Sequence, residues 1–147
     1  MTAHETVRLD AVLLDTCAVI WLAEGLELSE QAHAVIAHAG GAGGIVVSAV
    51  SAWEIGLLAR PKKSGALRFL PDPQSWFRRF AASPGVRELP LTGDVAIEAS
   101  SLPGDLHGDP ADRMLIATAR HHGLPIVTRD RNILAYAEAG FIAAVPC

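Results

Sequence analysis

The segment GDPADRMLIATAR, residues 108–120, carries two carboxylates where a helix start needs one. Asp109 is placed to cap the helix, Pro110 suits its first position, and Met114, Leu115, Ile116 and Ala119 form an apolar face. Asp112, one turn in and pressed against that face, is surplus to capping. Three more carboxylates raise the same question. Asp15 ends the apolar run LDAVLLD, Asp130 follows PIVT in the run PIVTRD, and Glu54 sits mid-helix in SAVSAWEIGLLAR. The three aspartates also suit plain roles, as caps or as acids favoured by a helix dipole. Glu54 is harder to explain that way. Its neighbours at three and four positions, Val50, Ser51, Leu57 and Leu58, offer no cation. A glutamate beside an apolar stripe is costly unless something satisfies it.

Four converging carboxylates repel one another and raise each other's pKa. A divalent cation relieves that repulsion, and carboxylate oxygens and water are the ligands that Mg²⁺, or alternatively Mn²⁺, prefers. No softer-metal site competes. His107, His121 and His122 lack helical ligand spacing with a third partner, and His121 with His122 suits the C-terminal end of a helix. The two cysteines, Cys17 and Cys147, predict neither a structural disulfide nor a zinc site, and Cys17 is expected to be a small core residue. The hydroxyls of Thr16, Ser48 and Thr128 adjoin the acids and could orient carboxylates or water, although capping is the favoured role for Thr16 and Ser48.

The elements that must position these groups alternate along the chain. Short strands are expected over 9–15, 45–48, 86–90, 125–128 and 141–145. Helices are expected from 16 to near 25, over 29–40, 48–60, 72–83 and 92–102, from 109 to 122, and over 130–140. Strand–helix alternation from end to end predicts an α/β domain with a mainly parallel central sheet and helices on both faces. In such a sheet the functional cleft lies at the carboxyl ends of the strands, where Asp15 and Asp130 fall.

At 147 residues, half of them hydrophobic, the chain suits one folded domain with a sizeable core. It has no apolar run long enough to span a bilayer, and its first ten residues lack the apolar centre of a signal peptide. A soluble, cytoplasmic protein with no membrane partner is expected. The net charge is −4, which argues mildly against general nucleic-acid binding. Its distribution is more informative. Residues 60–80 hold Arg60, Lys62, Lys63, Arg68, Arg78 and Arg79 against the single Asp72, a local +5 beside a body of −9. On charge alone that segment is a solvated helix surface, the favoured reading, or a contact for phosphates, and residues 61–71 within it read as a basic loop. Trp21 and Trp76 suit either core packing, the favoured role, or a partner-facing surface.

The runs LLDTCAVIWLAE, SAVSAWEIGLLA, HGDPADRMLIATA and LPIVTRDRNIL together resemble the successive motifs of PIN-domain proteins, most closely the VapC-like ribonuclease toxins of type II toxin–antitoxin systems. The resemblance runs from about residue 10 to 145, and it rests on the order and spacing of four acids. It implies a single PIN-like domain over 1–147, with its core at about 9–145. It implies an acidic quartet of Asp15, Glu54, Asp112 and Asp130 around Mg²⁺ or Mn²⁺, with Asp15 and Asp112 the most direct ligands and Asp109 a cap only. It further implies a metal-dependent endoribonuclease that leaves 5′-phosphate and 3′-hydroxyl ends, a VapB-like antitoxin partner and a homodimer. The basic loop would then lie near the mouth of the cleft, with Arg60, Lys62, Lys63 and Arg68 contacting RNA phosphates. Two other readings stand beside this one. Aspartyl-phosphate transfer would need an acid two residues after Asp15, where Cys17 stands. A non-catalytic PIN-like binding module would bind without turnover.

Overall fold

A computed structural model describes residues 10–61, 67–104, 106 and 108–147. The elements run β1 (Val12–Leu14), α1 (Thr16–Ala23), α2 (Glu30–Gly41), β2 (Ile45–Ser48), α3 (Ala49–Leu58), α4 (Pro73–Ala81), β3 (Val86–Leu89), α5 (Gly93–Ser100), α6 (Pro110–His122), β4 (Ile126–Thr128), α7 (Arg131–Glu138) and β5 (Ala144–Pro146). The five strands form one sheet in the order β3-β2-β1-β4-β5. Every pairing is parallel, with Val12 opposite Ile45 and Leu13 opposite both Val46 and Ile126. The chain winds outward from β1 through β2 to β3, then returns to the other side of β1 for β4 and β5. The strand order therefore reverses between β1 and β4, and a doubly wound sheet opens its crevice at that point.

Strand periodicity sorts the core into two layers. Val12, Leu14, Val47 and Val127 face a layer built on Ala18 and Val19 of α1, Ala32, Ile36 and Ala39 of α2, and Phe77 and Phe80 of α4. Leu13, Val46 and Ile126 face the opposite layer, with Leu115 and Ile116 of α6 and Ile133 and Tyr136 of α7. α5 packs behind α6 through Val95, Ala99 and Ala117. Helices thus cover both faces of the sheet, as the alternation predicts.

Local signals in the sequence set the helix boundaries. Ser29, Ser48, Asp72, Thr92 and Asp109 each cap the helix that follows. Gly123, at φ +65°, closes α6 in the left-handed conformation that glycine adopts without penalty. Gly44 allows β1 and β2 to approach, because a Cβ there would lie 1.8 Å from the carbonyl oxygen of Asp10. The last strand departs from expectation. It starts at Ala144 rather than at 141. Phe141 instead stacks on Tyr136, with ring centroids 4.7 Å apart, and both it and Ile142 pack in the α6–α7 layer. Side-chain burial competes there with strand pairing, and it wins.

Candidate active site

The crevice at the β1–β4 switch point is a cavity of about 320 Å³ lined by Asp15, Thr16, Cys17, Trp21, Glu54, Asp112, Leu115, Arg129 and Asp130. All four predicted acids therefore open onto one space. Each arrives on a different element.

Asp15 follows β1 and caps α1, accepting the Ala18 N–H on Oδ1 at 2.8 Å. Its other oxygen accepts the hydroxyl of Thr128, at the end of β4. Asp15 is only 6% exposed. Burial is the dominant influence on its pKa, which lies above the usual carboxylate value despite these two bonds. Asp130 follows β4 and caps α7, taking the N–H groups of Asn132 and Ile133 on Oδ1 at 2.9 and 3.0 Å. Its own N–H donates to Thr128 Oγ1 at 3.0 Å. The Thr128 hydroxyl thus bridges two of the acids from behind.

Asp109 caps α6 by accepting the Asp112 N–H at 2.8 Å, and it does not line the cavity. Asp112 does. Burial first, then the charges of Asp109, Asp130, Glu54 and Asp15, push its pKa up to about 7. Among the described residues no hydrogen bond offsets that rise. Glu54 projects from the middle of α3 and accepts the hydroxyl of Thr16. The wholly buried Ser51, one turn earlier on α3, lies 2.9 Å from the same Thr16 oxygen and donates to it. Burial raises the Glu54 pKa, and the charges of Asp109 and Asp15 add to the rise.

Asp15, Asp112 and Asp130 all sit at helix N-termini, where the macrodipole favours negative charge. That lowers the cost of clustering carboxylates without removing it, as the raised pKa values of Asp15 and Asp112 record. Hard oxygen donors short of positive charge suit Mg²⁺ or Mn²⁺. Among the described residues, no three of the histidine, cysteine, aspartate and glutamate side chains are already close enough together to form a cage for an ion.

Thr16 and Thr128 position acids, whereas Ser48 accepts the Val50 N–H at 3.0 Å as the α3 cap and stays outside the cavity. The capping role expected for Thr16 falls to Asp15 instead. Cys17 is exposed and lines the cavity, contrary to its expected place in the core. As the second residue of α1, Cys17 points where the first helical turn directs it, here into the crevice. Burial, and then the charges of Asp15, Glu54, Asp130 and Asp112, push its thiol pKa up. Cys147 is the buried cysteine. His121 pairs with Glu98 at 3.0 Å, away from the cavity. Arg60 and Arg68 are exposed and do not line the cavity. Lys62, Lys63 and His107 lie outside the described residues.

Besides Cys17 and Leu115, three lining or supporting residues stand outside the sequence-based set of functional groups: Ser51, Arg129 and Trp21. Ser51 was visible there as the one hydroxyl a turn before Glu54. Arg129 stands between two residues that were singled out, Thr128 and Asp130. Core packing is the favoured expectation for Trp21, with a partner-facing surface as the alternative. Trp21 does pack against the core, and it also forms one wall of the cavity.

A doubly wound parallel sheet with four carboxylates at its switch point defines an α/β domain built around an acidic, cation-seeking cleft. The PIN domain family model matches residues 12–139, and the chain belongs to that family. It is 36% identical over 126 residues to Ribonuclease VapC22 of Mycobacterium tuberculosis, a match spanning 85% of this chain and 91% of that protein. The fold is shared with VapBC2 from Rickettsia felis, solved bound to a DNA fragment from its promoter, at TM-score 0.64 and 12% identity, covering 92% of this chain and 98% of that one. It is shared too with the toxin–antitoxin system VapBC-5 from Mycobacterium tuberculosis, at TM-score 0.58 and 18% identity, covering 94% and 99%.

Proposed function

We propose that this chain is a metal-dependent endoribonuclease of the VapC type, the toxin of a VapBC-type toxin–antitoxin pair. In this reading Asp15, Glu54, Asp112 and Asp130 hydrolyse RNA phosphodiester bonds with Mg²⁺ or Mn²⁺. The observation that carries it is the convergence of four carboxylates from four elements on one cavity, with the Asp112 pKa pushed up to about 7. The similarity to Ribonuclease VapC22 over most of both chains supports the same activity here.

Asp15 and Asp112 would be the principal ligands. Asp15 is fixed on both oxygens, and Asp112 has the strongest need of a counter-charge. A bound divalent ion supplies Lewis acidity, activates water and neutralises charge on the reacting phosphate. Glu54, held through one oxygen by Thr16, orients the attacking water and accepts its proton. Asp130, fixed on the α7 N-terminus, completes the negative wall opposite. Water oxygen bonds to phosphorus as the bond to the 3′-oxygen breaks, and the departing 3′-oxygen takes a proton from solvent, leaving 5′-phosphate and 3′-hydroxyl ends. Arg60, Lys62, Lys63 and Arg68 contribute further phosphate contacts. Solved relatives are VapBC complexes, and this supports a VapB-like antitoxin as partner. A homodimer of single PIN-like domains, each spanning residues 1–147, acting in the cytoplasm, completes the reading. No helix among the described residues is long and apolar enough to cross a membrane.

The test is antitoxin-free protein incubated with total RNA in Mg²⁺, Mn²⁺ or EDTA, beside Asp112→Asn. Discrete cleavage is expected with metal only, and the variant should lose about a hundredfold or more. Products ending in 2′,3′-cyclic phosphate, or cleavage unaffected by EDTA, would sink the proposed chemistry.

A further inference from the structure

We propose that Arg129 is the phosphate-binding residue of this cavity, held as a fixed cation beside the four carboxylates to grip the RNA backbone at the bond being cleaved. The assignment rests on the ribonuclease reading above and adds a substrate contact to it.

Arg129 lines the cavity together with all four acids. A cation in that setting would ordinarily collapse onto a carboxylate. Among the described residues Arg129 is paired with none of these side-chain carboxylates. Its Nε donates to the main-chain oxygen of Cys147 at 2.7 Å. The guanidinium lies over the Trp21 ring, 3.9 Å from the ring centroid. Its charge is felt by Asp15 only as the weakest of the influences on that carboxyl. Two independent restraints, a hydrogen bond from one edge and an aromatic face beneath, therefore hold the cation off the acids. Both restraints belong to the crevice. Cys147 continues the β4–β5 pairing by donating its N–H to the Thr128 carbonyl at 3.0 Å, and Trp21 is on α1, whose cap is Asp15.

Nε is committed to Cys147, whose thiol also takes a hydrogen bond from the guanidinium, and no side-chain carboxylate among the described residues engages the two terminal nitrogens. They form the planar pair of donors that suits two oxygens of one phosphate. Arg129 is exposed and lines the cavity, so its guanidinium is reachable from solvent. An acidic cavity also needs such a group. A polyanion approaching four carboxylates is repelled until positive charge is supplied, and Arg129 supplies one fixed unit of it.

The test separates binding from chemistry. A non-cleavable single-stranded RNA oligonucleotide is titrated against wild type, Arg129→Gln, Arg129→Lys and Trp21→Leu across a salt series. Mn²⁺ binding is measured by calorimetry, and cleavage is resolved into kcat and KM. Arg129→Gln is expected to weaken RNA binding and raise KM about tenfold, with Mn²⁺ affinity unchanged. The salt slope should fall by about 0.7, the value of one phosphate contact on a single strand. Arg129→Lys should restore the slope and only part of the affinity, because a point charge replaces the fork. Trp21→Leu should weaken binding less than Arg129→Gln does. If wild type cleaves RNA and Arg129→Gln binds and cleaves it equally well, the assignment is overturned and the ribonuclease reading stands. The assignment also fails if Arg129→Gln and Arg129→Lys melt well below wild type with an unchanged salt slope, since Arg129 would then be a fastener between β4 and β5. Wild-type protein without action on any RNA overturns the ribonuclease reading, and the assignment with it.

Discussion

One hydroxyl ties together half of the carboxylate set. Thr128 donates to Asp15 and accepts from the N–H of Asp130, so it fixes the ends of β1 and β4 at a single oxygen. Thr128→Val keeps the shape and removes both bonds inside a fully buried site. It is expected to cost about 1–3 kcal/mol in a urea melt, because Asp15 is left under-satisfied. Metal affinity should fall about 10–100-fold, the usual effect of losing a group that orients a ligand. An unchanged melt and unchanged affinity would show that the α1 cap alone holds Asp15. The same residues show that capping and function are not alternatives. Asp15 and Asp130 each cap a helix and each line the cavity. A carboxylate at a strand-to-helix junction can satisfy the helix N–H groups on one oxygen and face the crevice with the other.

At the level of elements, α6 divides the two tasks between separate residues. Asp109 accepts the N–H of Asp112, and Asp112 faces the cavity. Asp109→Ala should therefore cost about 1 kcal/mol of stability, the ordinary value of a lost cap. That corresponds to a fall in Tm of roughly 2–4 °C for a chain of this size. Metal-dependent cleavage should stay within a few-fold of wild type, in contrast to Asp112→Asn. Thermal melts beside cleavage assays decide it, and equal loss of cleavage in the two variants would make Asp109 part of the site. α3 works differently. It has no acid near its cap, and Glu54 owes its position to the packing of α3 beside α1, which brings Ser51, Thr16 and Glu54 into one hydrogen-bonded row.

For the whole molecule, the acidic cavity links folding, protons and metal. Asp112 keeps its proton to about pH 7 in the folded chain and loses it near 3.8 when unfolded. The folded state thus binds more protons between those values, and metal-free stability falls as pH rises from about 4 to 7. The raised pKa values of Asp15 and Glu54 act in the same direction. Metal-free Tm should drop by roughly 3–5 °C between pH 5.5 and 8. Added Mn²⁺ should raise Tm more at pH 8 than at pH 5.5, because protons and cation compete for the same oxygens. Asp112→Asn should flatten the metal-free profile. A metal-free Tm that rises across this range would mean that the carboxylates do not crowd one another.

The α/β class, the parallel sheet, most helix boundaries and the four acids were legible in the sequence, because each depends on local causes. Apolar runs such as IVVS pair as buried strands, and residues such as Ser29 and Asp109 cap whatever helix follows them. The strand-end positions of Asp15 and Asp130 follow from the same local pattern. Tertiary structure alone decided what meets across the crevice. Thr16 turns to Glu54 rather than to its own helix, Cys17 faces the cavity rather than the core, and Phe141 stacks on Tyr136 instead of extending β5. Arg129 rests on Trp21 and Cys147, residues more than a hundred positions before it and eighteen after. Such contacts join segments remote in the chain, and only the packing of α1, β4 and β5 around the reversal in strand order brings them together.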